Sequence, residues 1–146
     1  RILWFYVGNN TNFMSMDYSQ NGKLRWHSRQ NNSNGGSRNL QRIEATSNSS
    51  LNTWYHMVGT CNQNGDLKFY INGVSQGTLS GNGTNNVPAE LFNTTSLGTP
   101  IQKIGNQNVG GHNHRGYIRY IRIWDKELTN AEIAAAYANR DTVNRW

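Results

Sequence analysis

Two histidines lie two positions apart in the polar stretch His112-Asn113-His114-Arg115, the most distinctive polar cluster of the chain. On a strand, residues i and i+2 point to the same face, so the two imidazoles could hold a transition metal. A zinc-type site needs at least three protein ligands, and a third ligand is not evident nearby. The sequence therefore favours a polar loop over a metal site.

Carboxylates are the second group that could do chemistry, because glycoside hydrolysis needs two of them at a fixed separation. Asp125 and Glu127 have an i, i+2 spacing, but they lie in a turn before a predicted helix rather than on a clear inner strand. His56 has no Ser or Cys nucleophile in a motif context. The sequence therefore predicts that the protein is not an enzyme. The acidic residues are Asp17, Glu44, Asp66, Glu90, Asp125, Glu127, Glu132 and Asp141.

Binding is the better interpretation of the remaining polar and aromatic side chains. Sugar sites commonly pair an aromatic face with hydrogen-bonding groups. The first candidate group lies in residues 106–115, where Gly110-Gly111 lets the backbone bend freely. The second group lies on the returning strand of a predicted hairpin, residues 23–29. The predicted ligand-binding residues are Asn106, His112, His114 and Arg115 in the first group, and Trp26, His27 and Arg29 in the second.

Residues 116–137 organise the predicted fold, as a strand, a turn and a short helix. Residues 117–124 are rich in Ile, Tyr and Trp, which suit a pleated, half-buried surface. Their alternation is imperfect, so either both faces are covered or a bulge shifts the phase. Thr129 and Glu132 have the spacing of a capping box, and the alanines that follow favour a helix.

Short strands separated by turn residues predict an antiparallel sandwich. Three Asn-Gly pairs mark hairpins, at Asn21-Gly22, Asn64-Gly65 and Asn72-Gly73, and the first predicts a type I′ turn. We expect Trp54, Phe69, Ile71, Ile118 and Ile123 to be largely buried, because each occupies an apolar position of a strand pattern. The predicted strands span residues 2–8, 13–18, 23–29, 40–45, 54–61, 67–72, 74–79, 100–105 and 117–124.

Three blocks carry a family resemblance. The C-terminal block Gly-x-Ile-x-x-Ile-Arg-Ile-Trp (residues 116–124), with Leu-Thr-x-x-Glu-Ile after it, resembles the signature of the concanavalin A-like jelly rolls. Residues 54–60, Trp-Tyr-His-Met-Val-Gly-Thr, and residues 65–73, which end in Phe-Tyr-Ile-Asn-Gly, are similar to a strand and hairpin of the laminin G-like and pentraxin-like branch. The blocks occur in that family's order.

The resemblance implies an all-β, antiparallel jelly-roll β-sandwich with one short C-terminal helix, spanning residues 1–146 as a single domain. Members of the family usually have a strand before this point, so we expect the chain to be part of a longer polypeptide. Many relatives bind calcium at one rim through Asp, Asn and backbone oxygens. Few loop acids are present here, so calcium is possible but no cofactor is predicted.

The composition limits the classes of partner that we expect the chain to bind. The net charge of +6 is spread along the chain, with no run of five basic residues and no nucleic-acid motif, so specific nucleic-acid binding is not predicted. Asn is abundant, which fits either turn-forming loops or a surface suited to sugars. Cys61 is the only cysteine and is expected to be a buried small apolar residue. No stretch is apolar for long enough to span a membrane.

These observations predict a non-catalytic adhesion module that recognises a glycan or a protein partner. The alternative is a structural subunit of a virion, fibre or extracellular filament that contacts neighbouring copies. Either function places the chain outside the cell, at a cell surface or at a virion surface.

Overall fold

The computed structural model describes residues 2–7, 12–30, 39–62, 64–80, 101–105 and 114–142. Within these ranges the chain forms eight strands and one helix, and each coincides with an element predicted from the sequence. The strands are β1 (Leu3–Val7), β2 (Asn12–Tyr18), β3 (Leu24–Gln30), β4 (Asn39–Glu44), β5 (Met57–Cys61), β6 (Leu67–Ile71), β7 (Val74–Leu79) and β8 (Ile101–Ile104), and the helix is α1 (Asn130–Ala138).

The strands form two antiparallel sheets. The first sheet has the order β4-β3-β2-β1-β8, and the second has the order β5-β6-β7. Neighbouring strands within each sheet are consecutive along the chain except β1 and β8, where the first strand pairs with a strand from much later in the chain. This sandwich confirms the predicted fold class.

Two of the three Asn-Gly pairs, Asn72-Gly73 and Asn21-Gly22, form different kinds of turn. At Asn72-Gly73 both residues have positive φ, 51° and 77°, as a type I′ turn requires. At Asn21-Gly22 only Gly22 has positive φ, and Ser19 N donates to Lys23 O at 2.7 Å, so the connection is longer. The predicted type I′ turn at Asn21-Gly22 is therefore wrong, because the Ser19 hydroxyl and backbone close a wider loop.

The main core lies between β3 and β4 of the first sheet and β6 of the second. Leu24, Trp26, Leu67 and Phe69 are buried there in one cluster. The indole of Trp26 lies flat against Gly59, where a Cβ atom would come within 2.4 Å of the ring. Trp26 Nε1 also donates to Thr60 O at 3.2 Å, so this one side chain joins the two sheets by packing and by a hydrogen bond.

Helix α1 covers the outer face of the second sheet. It begins with the predicted capping box: Glu132 N donates to Thr129 Oγ1 at 3.2 Å, and Thr129 N donates to Glu132 Oε2 at 2.8 Å. Ile133 is fully buried and packs in a cluster with Val58, Tyr70 and Leu128. Phe69 and Tyr70 are adjacent on β6 and point to opposite faces, so both are buried because the core covers one face and the cluster around Ile133 covers the other. Opposite them the register shifts and leaves Gln76 of β7 unpaired in the ladder.

Residues 114–129, which we call the connecting segment, bridge the two sheets. At its start, His114 N donates to Gly105 O at 2.8 Å beside the β1–β8 edge. Near its end, the Glu127 carboxylate is 2.8 Å from Lys68 Nζ on β6. Residues 117–124 form no strand. The predicted strand is therefore wrong, because the segment is held at its ends and has no ladder with a neighbouring strand.

The absence of a strand at residues 117–124 changes which of the predicted core residues are buried. Phe69 is fully buried, as predicted. Trp54 is 63% exposed and Ile123 is 65% exposed, so their predicted burial is wrong. Ile71 and Ile118 are half-buried. An apolar residue on a strand is buried only if a second layer covers it, and the connecting segment and the residues before β5 have solvent on one side.

Candidate functional site: an aromatic groove

A groove of 460 Å³ lies between the connecting segment, the residues before β5, and the C-terminal end of α1. We call it the aromatic groove, because seven Tyr and Trp side chains line it. Its volume is within the range of about 300–1,000 Å³ that is usual for ligand sites. The seven aromatic residues are Tyr18, Trp54, Tyr55, Tyr117, Tyr120, Trp124 and Tyr137.

Several of these rings are open to solvent. Tyr117 is 88% exposed, Trp54 63% and Tyr18 42%. Single exposed apolar residues are common on protein surfaces, but a group of large aromatic rings around one concavity makes that concavity a candidate binding surface. Each ring has an apolar face for stacking and a polar group at its edge.

The loop that carries Trp54 is fixed at both ends. Ser50 N donates to Tyr55 Oη at 2.8 Å. Asn72, at the first position of the type I′ turn, accepts from His56 N through Oδ1 at 2.9 Å and donates from its own N to His56 O at 2.8 Å. Trp54 therefore projects from a restrained backbone, which reduces the entropy lost when a ligand binds.

His114 forms another side of the groove. Its ring lies almost parallel to that of Tyr18, at an interplanar angle of 8° and a centroid distance of 6.2 Å. A Cβ atom at residue 116 would be 2.9 Å from His114 Nε2, so Gly116 makes room for this ring. Burial, with a smaller contribution from Tyr55, raises the pKa of Tyr18 above 10, so its hydroxyl remains a hydrogen-bond donor at neutral pH.

His56 belongs to a column of side chains at the end of α1. Its ring centroid is 5.8 Å from that of Tyr137, and the guanidinium of Arg140 lies 4.2 Å from the Tyr137 centroid. Burial, followed by the nearby charges of Arg140 and Arg122, lowers the pKa of His56 below 6.5. The imidazole is therefore neutral at physiological pH.

Arginines give the groove a positive character. Arg119 NH1 is 2.6 Å from Asp141 Oδ1, and Arg140 Nε is 3.7 Å from Asp141 Oδ2, so one carboxylate faces two guanidiniums. Arg122 lies over the Tyr120 ring, with its Cζ 5.3 Å from the centroid. The groove therefore combines stacking surfaces with an excess of hydrogen-bond donors.

A comparison with models of known protein families identifies the family of this chain. A laminin G model, described as "Concanavalin A-like lectin/glucanases superfamily", matches residues 1–134. The chain belongs to this laminin G-like family. A search of curated protein sequences found no match.

Two solved structures resemble this laminin G-like domain. The first is a native heptameric SAP-like pentraxin from Limulus polyphemus, with 20% identity and a TM-score of 0.58 over 93% of this chain. The second is an S-layer domain-containing protein from Clostridium thermocellum, with 22% identity and a TM-score of 0.46 over 91% of this chain. The chain covers 61% and 60% of their lengths. The first similarity supports the predicted concanavalin A-like jelly roll.

The residues predicted for ligand binding lie in different parts of the laminin G-like domain. His114 lines the aromatic groove, and its neighbour Arg115 is exposed beside it. Asn106 and His112 lie outside the described residues. In the second group, Arg29 is a half-buried residue of β3, whereas Trp26 and His27 are buried on opposite faces of that strand. The Trp26 side chain is 4% exposed and packs against Gly59 in the core.

His27 instead belongs to a buried polar cluster on the outer face of the first sheet. Ser15 Oγ is hydrogen-bonded to His27 Nε2, Asp17 Oδ2 is 3.1 Å from the same nitrogen, and Arg25 Nε pairs with Asp17. A nucleophilic triad needs the Ser and the carboxylate on different imidazole nitrogens. Ser15, Asp17 and His27 are each at most 3% exposed, and their described contacts do not have the geometry of a nucleophilic triad.

Two other side chains that could do chemistry are Glu127 and Cys61. Glu127, a candidate carboxylate, is paired with Lys68. Burial, followed by Glu127 and Asp66, raises the pKa of Cys61 to about 12, so this half-buried thiol is protonated. Among the described ranges, no group of three or more His, Cys, Asp or Glu side chains could hold a metal ion. No helix in those ranges is long and apolar enough to cross a membrane.

Sequence reasoning missed Trp54, Tyr117 and Tyr18 as site residues. Each lies in a strand-like pattern, where an aromatic residue indicates a core position. The available signal was the concentration of Trp and Tyr in residues 54–55 and 117–124, at both ends of the family resemblance.

Proposed function

We propose that this laminin G-like domain is a non-catalytic module that binds a glycan in the aromatic groove, on a protein exposed at a cell or virion surface. The observation that carries the proposal is the exposure of Tyr117 and Trp54 around a concavity that also holds arginine and histidine side chains. A sugar ring has an apolar C–H face and polar edges, and this groove offers partners for both.

The arginines favour an acceptor-rich ligand. Sugar hydroxyls and carboxylates accept hydrogen bonds from guanidinium groups, and an anionic group also gains charge assistance. Asp141 already holds Arg119 and Arg140 in place, so these side chains are ordered before a ligand arrives. His56 is neutral, which leaves the positive charge of the groove on the arginines.

A glycan array followed by calorimetric titration of the retained glycan tests the proposal. The informative variants are Trp54→Ala and Tyr117→Ala, and we expect each to lower affinity by about tenfold, since each removes one stacking surface. Leu51→Ala is the control, because Leu51 is 92% exposed but does not line the groove. Retention of no glycan, or equal binding by all three variants, would contradict the proposal.

Two further measurements test calcium dependence and the alternative function. Titration with calcium and then with EDTA shows whether glycan binding depends on calcium, as the family resemblance allows. A solution mass measurement at micromolar concentration tests the alternative function of a structural subunit. A stable monomer that binds glycan supports the module, and an obligate assembly without glycan binding supports the subunit.

A further inference from the structure

A second cavity, of 1060 Å³, opens between the two sheets on the side where β1 faces β5. We call it the intersheet cavity. All three methionines of the chain line it: Met14 and Met16 from β2, and Met57 from β5. Leu3 and Phe5 of β1 and Trp26 of β3 also line it, and the remaining apolar lining residues are Val58, Ile123, Trp124 and Leu128. Both sheets therefore present apolar side chains to a space that the core does not fill.

This lining suits an apolar ligand of variable shape. Covering apolar surface is favourable, and a cavity slightly larger than the usual ligand site can take an extended chain. Met side chains are unbranched and polarizable, so they adapt to different occupants. Met16 and Met57 are only half-buried, so their side chains are accessible from the cavity.

The rim of the cavity carries a cation that complements an anionic head group. Four described charged side chains line the cavity: Arg122, Asp125, Lys126 and Glu127. Lys126 is paired with Glu132 and Glu127 with Lys68, so Arg122 is the cation that remains for a head group, with Asp125 three residues away along the segment. Arg122 is exposed and contacts the ring of Tyr120, and it has no acidic partner among the described residues. A guanidinium at the mouth of an apolar cavity can form a charge-assisted hydrogen bond to a carboxylate or sulfate.

We propose that the intersheet cavity binds a free amphipathic anion of the fatty-acid class, with its alkyl chain between the sheets and its carboxylate at Arg122. The site adjoins the aromatic groove, since Leu3, Met16, Met57 and Arg122 line both. Val58 and Trp124 also line both, but Trp54 and Tyr117, whose substitution tests glycan binding, line the groove and not this cavity.

Calorimetric titration with dodecanoate, dodecanol and dodecyltrimethylammonium tests the proposal. The expected order of affinity is dodecanoate first, dodecanol second and the cation last. Arg122→Gln is expected to lower dodecanoate affinity about tenfold and to leave dodecanol affinity unchanged, because it removes only the contact to the head group. Met57→Trp, which narrows the cavity, is expected to weaken both ligands.

Matched controls separate this site from the groove and from non-specific charge. Arg119→Gln removes a cation of the same segment that does not line the cavity, and Trp54→Ala removes a groove residue; both should bind dodecanoate like the parent. The proposal is overturned if dodecanoate does not bind, if the three ligands bind equally, or if Arg119→Gln and Arg122→Gln lose affinity alike. Binding to anionic vesicles without binding of free dodecanoate also overturns it.

Discussion

The two ends of the sandwich are built differently. Where β3 and β4 face β6, the layers are closed: Leu67 and Phe69 are fully buried, and the Trp26 ring touches Gly59 across the interface. Where β1 faces β5, the layers are open, and the intersheet cavity lies between them. Across this open side runs the connecting segment, with Tyr117 88% exposed.

The difference shows that, within one fold, the residues that stabilise the sandwich can be distinct from the residues positioned to bind a ligand. In the closed end, large side chains from both sheets pack against one another in a single cluster. In the open side, side chains of the same types line concave surfaces instead. We therefore expect substitutions in the closed end to change the free energy of unfolding, and substitutions in the open side to change binding.

The largest expected effect is that of Phe69→Ala, in the closed end. Phe69 is fully buried, and removing a buried Phe side chain costs about 3–5 kcal/mol through lost burial and the cavity left behind. Trp54→Ala, in the open side, is the matched aromatic substitution and should cost less than about 0.5 kcal/mol. Urea unfolding of both variants measures the contrast. Similar losses for the two variants would show that the open side is as tightly packed as the closed end.

A smaller effect is expected from Gly59→Ala, which tests the contact between the sheets directly. The new Cβ atom would lie 2.4 Å from the Trp26 ring, so the layers must shift, at a cost of about 1–3 kcal/mol. Gly22→Ala is the control, because a Cβ atom there meets nothing within 4 Å and the cost is only backbone strain at φ +75°. Near-ultraviolet circular dichroism should change in the first variant alone. An unchanged spectrum for Gly59→Ala would contradict this packing.

The smallest effect is a pH dependence located in the open side. The pKa of His56 is lower in the folded chain than in the unfolded chain, where it is about 6.5, so the unfolded state binds more protons as pH falls. Stability should therefore be unaffected by this residue above about pH 7 and should decrease as pH falls through 6.5 towards the lowered value. We expect His56→Gln to reduce that decrease, measured as unfolding free energies between pH 5 and pH 8. An identical pH profile in parent and variant would contradict the assigned shift.

Prediction from sequence worked best where the physical signal is local. The capping box at Thr129 and Glu132 is found as predicted, because both bonds join residues three apart. The type I′ turn chemistry is found at Asn72-Gly73, where the flanking strands are adjacent. It fails at Asn21-Gly22, because Ser19 offers a competing set of local hydrogen bonds.

The candidate site was predicted in part. His114 was identified from its polar neighbours, and the structure places it in the aromatic groove. Trp26 and Trp54 carry the same side chain, and both lie in segments with an apolar strand pattern. The prediction placed Trp26 at a ligand and Trp54 in the core, whereas Trp26 is 4% exposed and Trp54 is 63% exposed. Local pattern cannot distinguish them, because burial depends on which layer lies opposite.

The sequence by itself determined eight of the nine predicted strands, the capped helix and the laminin G-like family, because these depend on short-range propensity and on motifs that can be matched along the chain. Only the tertiary structure decided that residues 117–124 bridge the sheets without a ladder, and that Trp54 and Tyr117 surround a groove. A ladder needs a neighbouring strand within hydrogen-bonding distance, and a groove needs several distant segments together. Both conditions are set by the packing of the two sheets and not by the composition of any one segment.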